Sequence, residues 1–132
     1  APGARLIVVE PEAAACLLAS AEAGAPTTVT GELDTIMAGL ACGEPSLLAW
    51  QELERGAFAF MAVPDSAVPA AMRALKARGV EAGESAVAGW IALESLLAAP
   101  EEAARLGPDS RVLAFGTEGA TDPELYARLT AA

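Results

Sequence analysis

The chain has 132 residues, 54% hydrophobic but only 5% aromatic, and a formal net charge of −10. That acidic balance lacks the clustered Lys and Arg that nucleic acids and anionic membrane surfaces require. Histidine is absent, which removes His-based triads, His general bases and His metal ligands from these residues.

The length fits one α/β domain over residues 1–132, complete or part of a larger protein. No apolar run approaches the roughly 18 residues needed to cross a bilayer. No basic segment precedes a short apolar one, so no secretory signal is read. The start, Ala-Pro-Gly without Met, suggests processing or an excised segment. Cys16 and Cys42 form no CxxC pair and are too few for a structural zinc site. Two readings stay open for them: buried free thiols, or a Cys16–Cys42 disulfide, which is unusual in a reducing compartment.

In chain order, Leu6 to Val9 is a largely β-branched run and predicts a buried strand. It ends in Glu10-Pro11, and Pro11 suits a first helical position. Ala14, Leu17, Leu18 and Ala21 then share one helical face, with Cys16 and Ser20 off it. Gly24 ends that helix, and residues 27–30 are a strand candidate. An acid after a strand can hold a ribose, but a dinucleotide site needs a GxGxxG element about 20 residues upstream of Glu10. Only nine residues precede it.

Residues 35–45, Thr-Ile-Met-Ala-Gly-Leu-Ala-Cys-Gly-Glu-Pro, predict a short helix whose small residues admit another backbone. Ser46 caps the next helix, which Gly56 closes. Residues 57–63 are the second strand. Ser66 is the expected cap of a helix with Val68, Ala71, Met72 and Leu75 on its buried stripe. Lys76, the only lysine, lies near that helix's C-terminus and reads as a surface residue.

Residues 83–98 predict a long helix, apolar almost all round and so buried on most sides. A short helix follows from Pro100 to Gly107. Residues 111–116 are the third predicted strand, and Asp122 caps a last helix with Pro123 at its first position. Strands alternating with helices predict a parallel sheet with helices on both faces. Ligands then bind beyond the C-terminal strand ends, at Glu10, Pro64-Asp65 and residues 117–121.

The chemistry legible in the residues alone is thin. Gly83-Glu84-Ser85-Ala86-Val87 is similar to a GxSxG nucleophile turn, but Val87 replaces the last glycine and no His activates Ser85. Glu84 and Glu118 fall on neighbouring loops, where they either pair or act as solvated or capping groups.

Several stretches, in the same order, resemble the C-terminal half of the diaminopropionate ammonia-lyases. They are residues 7–11, the 35–45 run, Asp65-Ser66, Met72-Arg73, Gly83-Glu84-Ser85, Thr117-Glu118-Gly119 and Thr121-Asp122. That family uses pyridoxal phosphate (PLP) on fold type II, the scaffold of the tryptophan synthase β subunit. The resemblance implies part of the large domain of such an enzyme, eliminating ammonia from 2,3-diaminopropionate to leave pyruvate. It implies that Thr117 hydrogen-bonds the pyridine nitrogen and that Gly83, Glu84 and Ser85 line the ring. It also implies that Thr35, Met37, Ala38 and Gly39 lie near the substrate mouth.

By the same resemblance, the Schiff-base lysine, the phosphate-binding Gly-rich loop and the proton-transfer acids belong to an N-terminal half outside these residues. The chain alone is then expected to be inactive. A cytoplasmic homo-oligomer, an amino-acid substrate, and no nucleic acid or membrane partner complete the expectation. Ala86 departs from a glycine expected after Ser85. Two other classes fit the same residues: a non-catalytic binding module on this scaffold, and a threonine or serine dehydratase-type PLP lyase.

Overall fold

The computed structural model describes residues 3–99 and 106–131, which group into two compact units, residues 1–63 and 64–132. Each is built from local signals that the sequence carries.

In the first unit, strands β1 (Leu6–Pro11) and β2 (Ala57–Val63) pair in parallel, with Val8 opposite Phe60 and Glu10 opposite Ala62. A parallel pair needs a long crossover, and residues 12–56 supply it. They carry α1 (Cys16–Ala23) and α2 (Leu47–Gly56), which pack on the sheet. Ser46 caps α2 by accepting the Ala49 N–H at 3.3 Å. Trp50 of α2 is buried, its ring 6.1 Å from that of Phe60.

The first helix departs from its expected phase. Pro11 starts only a 3-10 turn (Glu12–Ala14), and Ala15 at φ −90°, ψ 60° interrupts the run before α1. The delayed start rotates the buried face onto Cys16 and Ser20, the two residues expected off it. Ser20 Oγ donates to the Cys16 carbonyl at 2.6 Å and accepts the Thr27 N–H at 2.9 Å. Gly24 closes the helix at φ 67°, as its freedom in the left-handed region allows.

Two further elements are corrected. Residues 27–30 form no strand; Val29 makes a single backbone bond, its N–H to the Gly43 carbonyl at 2.8 Å. Residues 35–45 hold one 3-10 turn (Ala38–Leu40) in place of a helix. The small residues there do serve close approach. A Cβ on Gly43 would stand 2.6 Å from the Val29 carbonyl oxygen.

Both cysteines are free, Cys16 buried and Cys42 exposed, so the disulfide reading is not realised and only one thiol is buried. Burial, and then the neighbouring Glu10 carboxylate, pushes the Cys16 thiol from 9.0 up to about 11. Its raised folded value contributes stability that is complete below pH 9.0 and lost as pH rises through about 11. Near neutral pH, iodoacetamide is therefore expected to label Cys42 and spare Cys16. Intact mass after labelling checks this.

The second unit opens with a 3-10 turn (Asp65–Ala67) running into α3 (Val68–Lys76). This turn takes the place of the expected Ser66 cap, and no side chain caps α3. Val68, Ala71 and Met72 are buried as the stripe requires, and α3 packs against α4 (Ala88–Ala98) and α5 (Pro123–Leu129). Asp122 caps α5 by accepting the Leu125 N–H at 2.9 Å. The long helix expected from residue 83 begins only at Ala88, because residues 84–87 form turns. It is buried chiefly at Ala88, Ile91 and Ala92, and Leu97 is 58% exposed, so the all-round burial does not hold.

Residues 111–116 are not a strand; strand identity needs a hydrogen-bonded neighbour, and no described residue pairs with them. Leu113 and Phe115 are each 77% exposed. Most of the short helix expected from Pro100 lies outside the described residues. Among those described, no helix is long and apolar enough to cross a membrane.

Candidate functional site

Strand-end acids are the first candidates, and the structure removes Glu10. It is buried at the end of β1, with its carboxylate turned into the first turn of α1. Oε1 and Oε2 accept the Leu17 N–H at 2.9 and 3.1 Å, and Oε2 also accepts the Leu18 N–H at 2.9 Å. The Cys16 thiol donates to Oε1 at 3.6 Å. These donors are among the N–H groups that a helix start leaves unpaired. Glu10 is a satisfied cap and not a ribose ligand.

The structure does bring together the two segments expected around a cofactor ring. Gly83 donates its N–H to the Glu118 carbonyl at 3.1 Å, and Ser85 donates its N–H to Glu118 Oε2 at 2.9 Å. Ala120 donates to Glu81 Oε1 at 3.4 Å. Gly83 is required for this approach, since a Cβ there would lie 2.4 Å from the Gly119 carbonyl oxygen. Glu84 and Glu118 do not pair: Glu118 caps the opposite turn, and Glu84 stands apart.

Glu84 is only 6% exposed, yet no described residue hydrogen-bonds its carboxylate. Its oxygens keep access to solvent, since the buried polar side-chain atom left without a partner among the described residues is the Trp90 indole Nε1. Thr117 is exposed, and its hydroxyl likewise has no partner among them. An acid and an exposed hydroxyl on two stitched turns suit a polar ring with donors and acceptors on its edge.

The residues expected near a substrate mouth belong to the first unit. Met37 is wholly buried, Thr35 Oγ1 accepts the Met37 N–H at 3.1 Å, and Ala38 and Gly39 form the 3-10 turn. Lys76 is exposed and committed elsewhere. Its Nζ donates to Thr130 Oγ1 at 2.9 Å and lies 5.5 Å from the Tyr126 ring centroid. With Arg73 donating to the Leu129 carbonyl at 3.1 Å, it anchors α5 to α3. The described residues hold no cluster of three acids or cysteines suited to a metal.

The profile of the pyridoxal-phosphate dependent enzymes matches residues 1–118. The chain belongs to this family. Among its relatives, the diaminopropionate ammonia-lyase of Salmonella typhimurium is 38% identical over 134 aligned positions, covering 92% of this chain. The chain spans about a third of the length of that enzyme, 33%. The crystal structure of the Escherichia coli diaminopropionate ammonia-lyase, in complex with an aminoacrylate–PLP azomethine reaction intermediate, matches with a TM-score of 0.81. Identity is 32%, and the match covers 96% of this chain and 34% of that one. A bacterial threonine deaminase shares the fold, at 22% identity and a TM-score of 0.69 over 74% of this chain and 35% of its own.

A cavity of about 180 Å³ lies in the second unit of this PLP-family chain, with Ala82, Ala86, Trp90, Ala114 and Glu118 among its walls. Gly83, Glu84, Ser85 and Thr117 do not line it, but Glu81 and Glu118, which tie the two turns together, do. Ala86, where the family resemblance leads one to expect glycine, faces both the cavity and Gly116. The sequence reading allowed Glu118 a capping role but did not name its partner, the Ser85 amide. The available signal was its place directly after Thr117, where an acid can accept from the amides of another turn.

Proposed function

We propose that this chain is the part of a PLP-dependent ammonia-lyase that holds the cofactor ring, working on 2,3-diaminopropionate within a longer protein. The observation that carries the reading is the tie between residues 83–85 and 117–120, which holds Gly83, Glu84 and Ser85 beside Thr117. Similarity to diaminopropionate ammonia-lyases along nearly the whole chain supports the substrate.

PLP, when bound, supplies an electron sink that makes loss of the α-proton and of the β-amino group feasible. The residues of this chain bind and orient. Thr117 holds the pyridine nitrogen through its hydroxyl. A hydroxyl there, unlike a carboxylate, leaves that nitrogen largely unprotonated and so moderates the sink. Gly83, Glu84 and Ser85 line the ring. Thr35, Met37, Ala38 and Gly39 border the substrate mouth. Proton transfer and the covalent lysine fall to residues beyond these 132, since Lys76 is tied to α5. The proposal includes a cytoplasmic setting and self-association.

The test is pyruvate and ammonia release from 2,3-diaminopropionate by the full-length protein with PLP, beside serine and threonine. Release from diaminopropionate well above the other two, and none by residues 1–132 alone, is the expected result. Preference for serine or threonine would favour a dehydratase. No turnover of any of them, with no PLP retained, would favour a binding module.

A further inference from the structure

Glu118 uses both its backbone and its side chain on one short turn. Its carbonyl accepts from Gly83 at 3.1 Å, and its carboxylate accepts from Ser85 at 2.9 Å. The Ser85 amide lies just ahead of α4, in a stretch where turn N–H groups lack helical acceptors. Glu81 reaches back to Ala120, so each segment's acid takes an amide of the other. The contact at Gly83 is too close for a side chain, which makes the two backbones one interlocked piece.

We propose that Glu118 is a positioning residue that locks the Gly83-Glu84-Ser85 turn to Thr117, so that the ring-lining and nitrogen-holding groups move as a single body. This rests on reading the two segments as the PLP site. Glu118 touches neither cofactor nor substrate; it acts through the Ser85 amide. A carboxylate acceptor makes a stronger bond to an N–H than a neutral one does. Two ties from one residue restrain the turn against rotation as well as separation.

The test uses the full-length protein with PLP, as wild type, Glu118→Ala and Glu118→Gln. Gln keeps an acceptor oxygen for the Ser85 N–H, and Ala removes it. In Glu118→Ala, amide hydrogen exchange at Ser85 is expected to rise about tenfold or more, the size expected for losing one charge-assisted bond. The visible circular dichroism of bound PLP should weaken. The kcat for diaminopropionate should fall about tenfold with KM within about threefold, the signature of lost orientation rather than lost binding. Gln should restore most of each.

Unchanged Ser85 exchange in Glu118→Ala would overturn the proposal, and so would a Gln variant as impaired as Ala. Faster exchange with unaltered dichroism and kcat would overturn it too, since the tie would then not bear on the site. A wild-type protein that retains no PLP would overturn the functional reading instead, and the exchange measurement reads the tie independently of that result.

Discussion

Replacing Gly83 with alanine is expected to weaken PLP binding by the full-length protein more than about a hundredfold, because each 1.4 kcal/mol is a factor of ten. The added Cβ would stand 2.4 Å from the Gly119 carbonyl oxygen, 2.9 Å from Glu118 Oε2 and 3.0 Å from Glu118 Cγ. The Glu118 side chain can swing aside, but Gly119 is backbone and cannot. The segments must separate, and both Glu118 bonds lengthen with them. Overpacking costs about 1–3 kcal/mol, and each lost hydrogen bond adds about 1 kcal/mol. Fluorescence titration with PLP measures the outcome. Gly89→Ala is the control: its Cβ would meet Ala114 Cβ at 3.4 Å, an ordinary contact. There the helix gains about 1 kcal/mol from the better helix former.

Replacing Glu10 with alanine is expected to destabilise the first unit by about 3–5 kcal/mol, since hydrogen bonds to a charged group contribute about 1.5–3 kcal/mol each. A negative charge at a helix N-terminus adds about 0.3–1 kcal/mol. The carboxylate is buried and serves the Leu17 and Leu18 amides at 2.9–3.1 Å. Their loss leaves two part-buried donors without their charged acceptor. Against a typical domain stability of about 5–15 kcal/mol, that is a large share. Urea unfolding of the wild type and Glu10→Ala measures it. Glu10→Gln is expected to fall between them, because its amide keeps one acceptor oxygen and turns an N–H toward donors. The Cys16 thiol should fall only part of the way back in Glu10→Ala, because burial is the larger cause of its shift.

Where the sequence spoke through local chemistry, the structure follows it. Ser46 and Asp122 cap α2 and α5, Gly24 closes α1, and the apolar runs at Leu6 and Ala57 become β1 and β2. These features depend on a few consecutive residues. The misreadings share a different cause. Residues 27–30 and 111–116 have strand composition, but a strand is made by its neighbour, and pattern alone does not say whether one is present. The phase of α1 turned on a single residue, Ala15, whose backbone angles no composition rule anticipates.

The candidate site was legible as two segments and not as one object. Gly83, Glu84, Ser85 and Thr117 stand out by their similarity to a family. That Glu118 joins them is a contact across 33 positions of sequence. Periodicity carries no such information, and an acid beside a glycine reads equally well as a surface charge. Glu10 shows the converse. Its place after a strand suggests a ligand contact, and only the direction of its carboxylate reveals a cap.

The central claim is that this chain lines the PLP ring while the covalent lysine lies outside it. The most direct measurement is borohydride reduction of the full-length, PLP-treated protein, followed by intact mass and peptide mapping. The account predicts one phosphopyridoxyl adduct, on a lysine outside residues 1–132, with Lys76 unmodified. An adduct on Lys76, or no adduct at all, would contradict it.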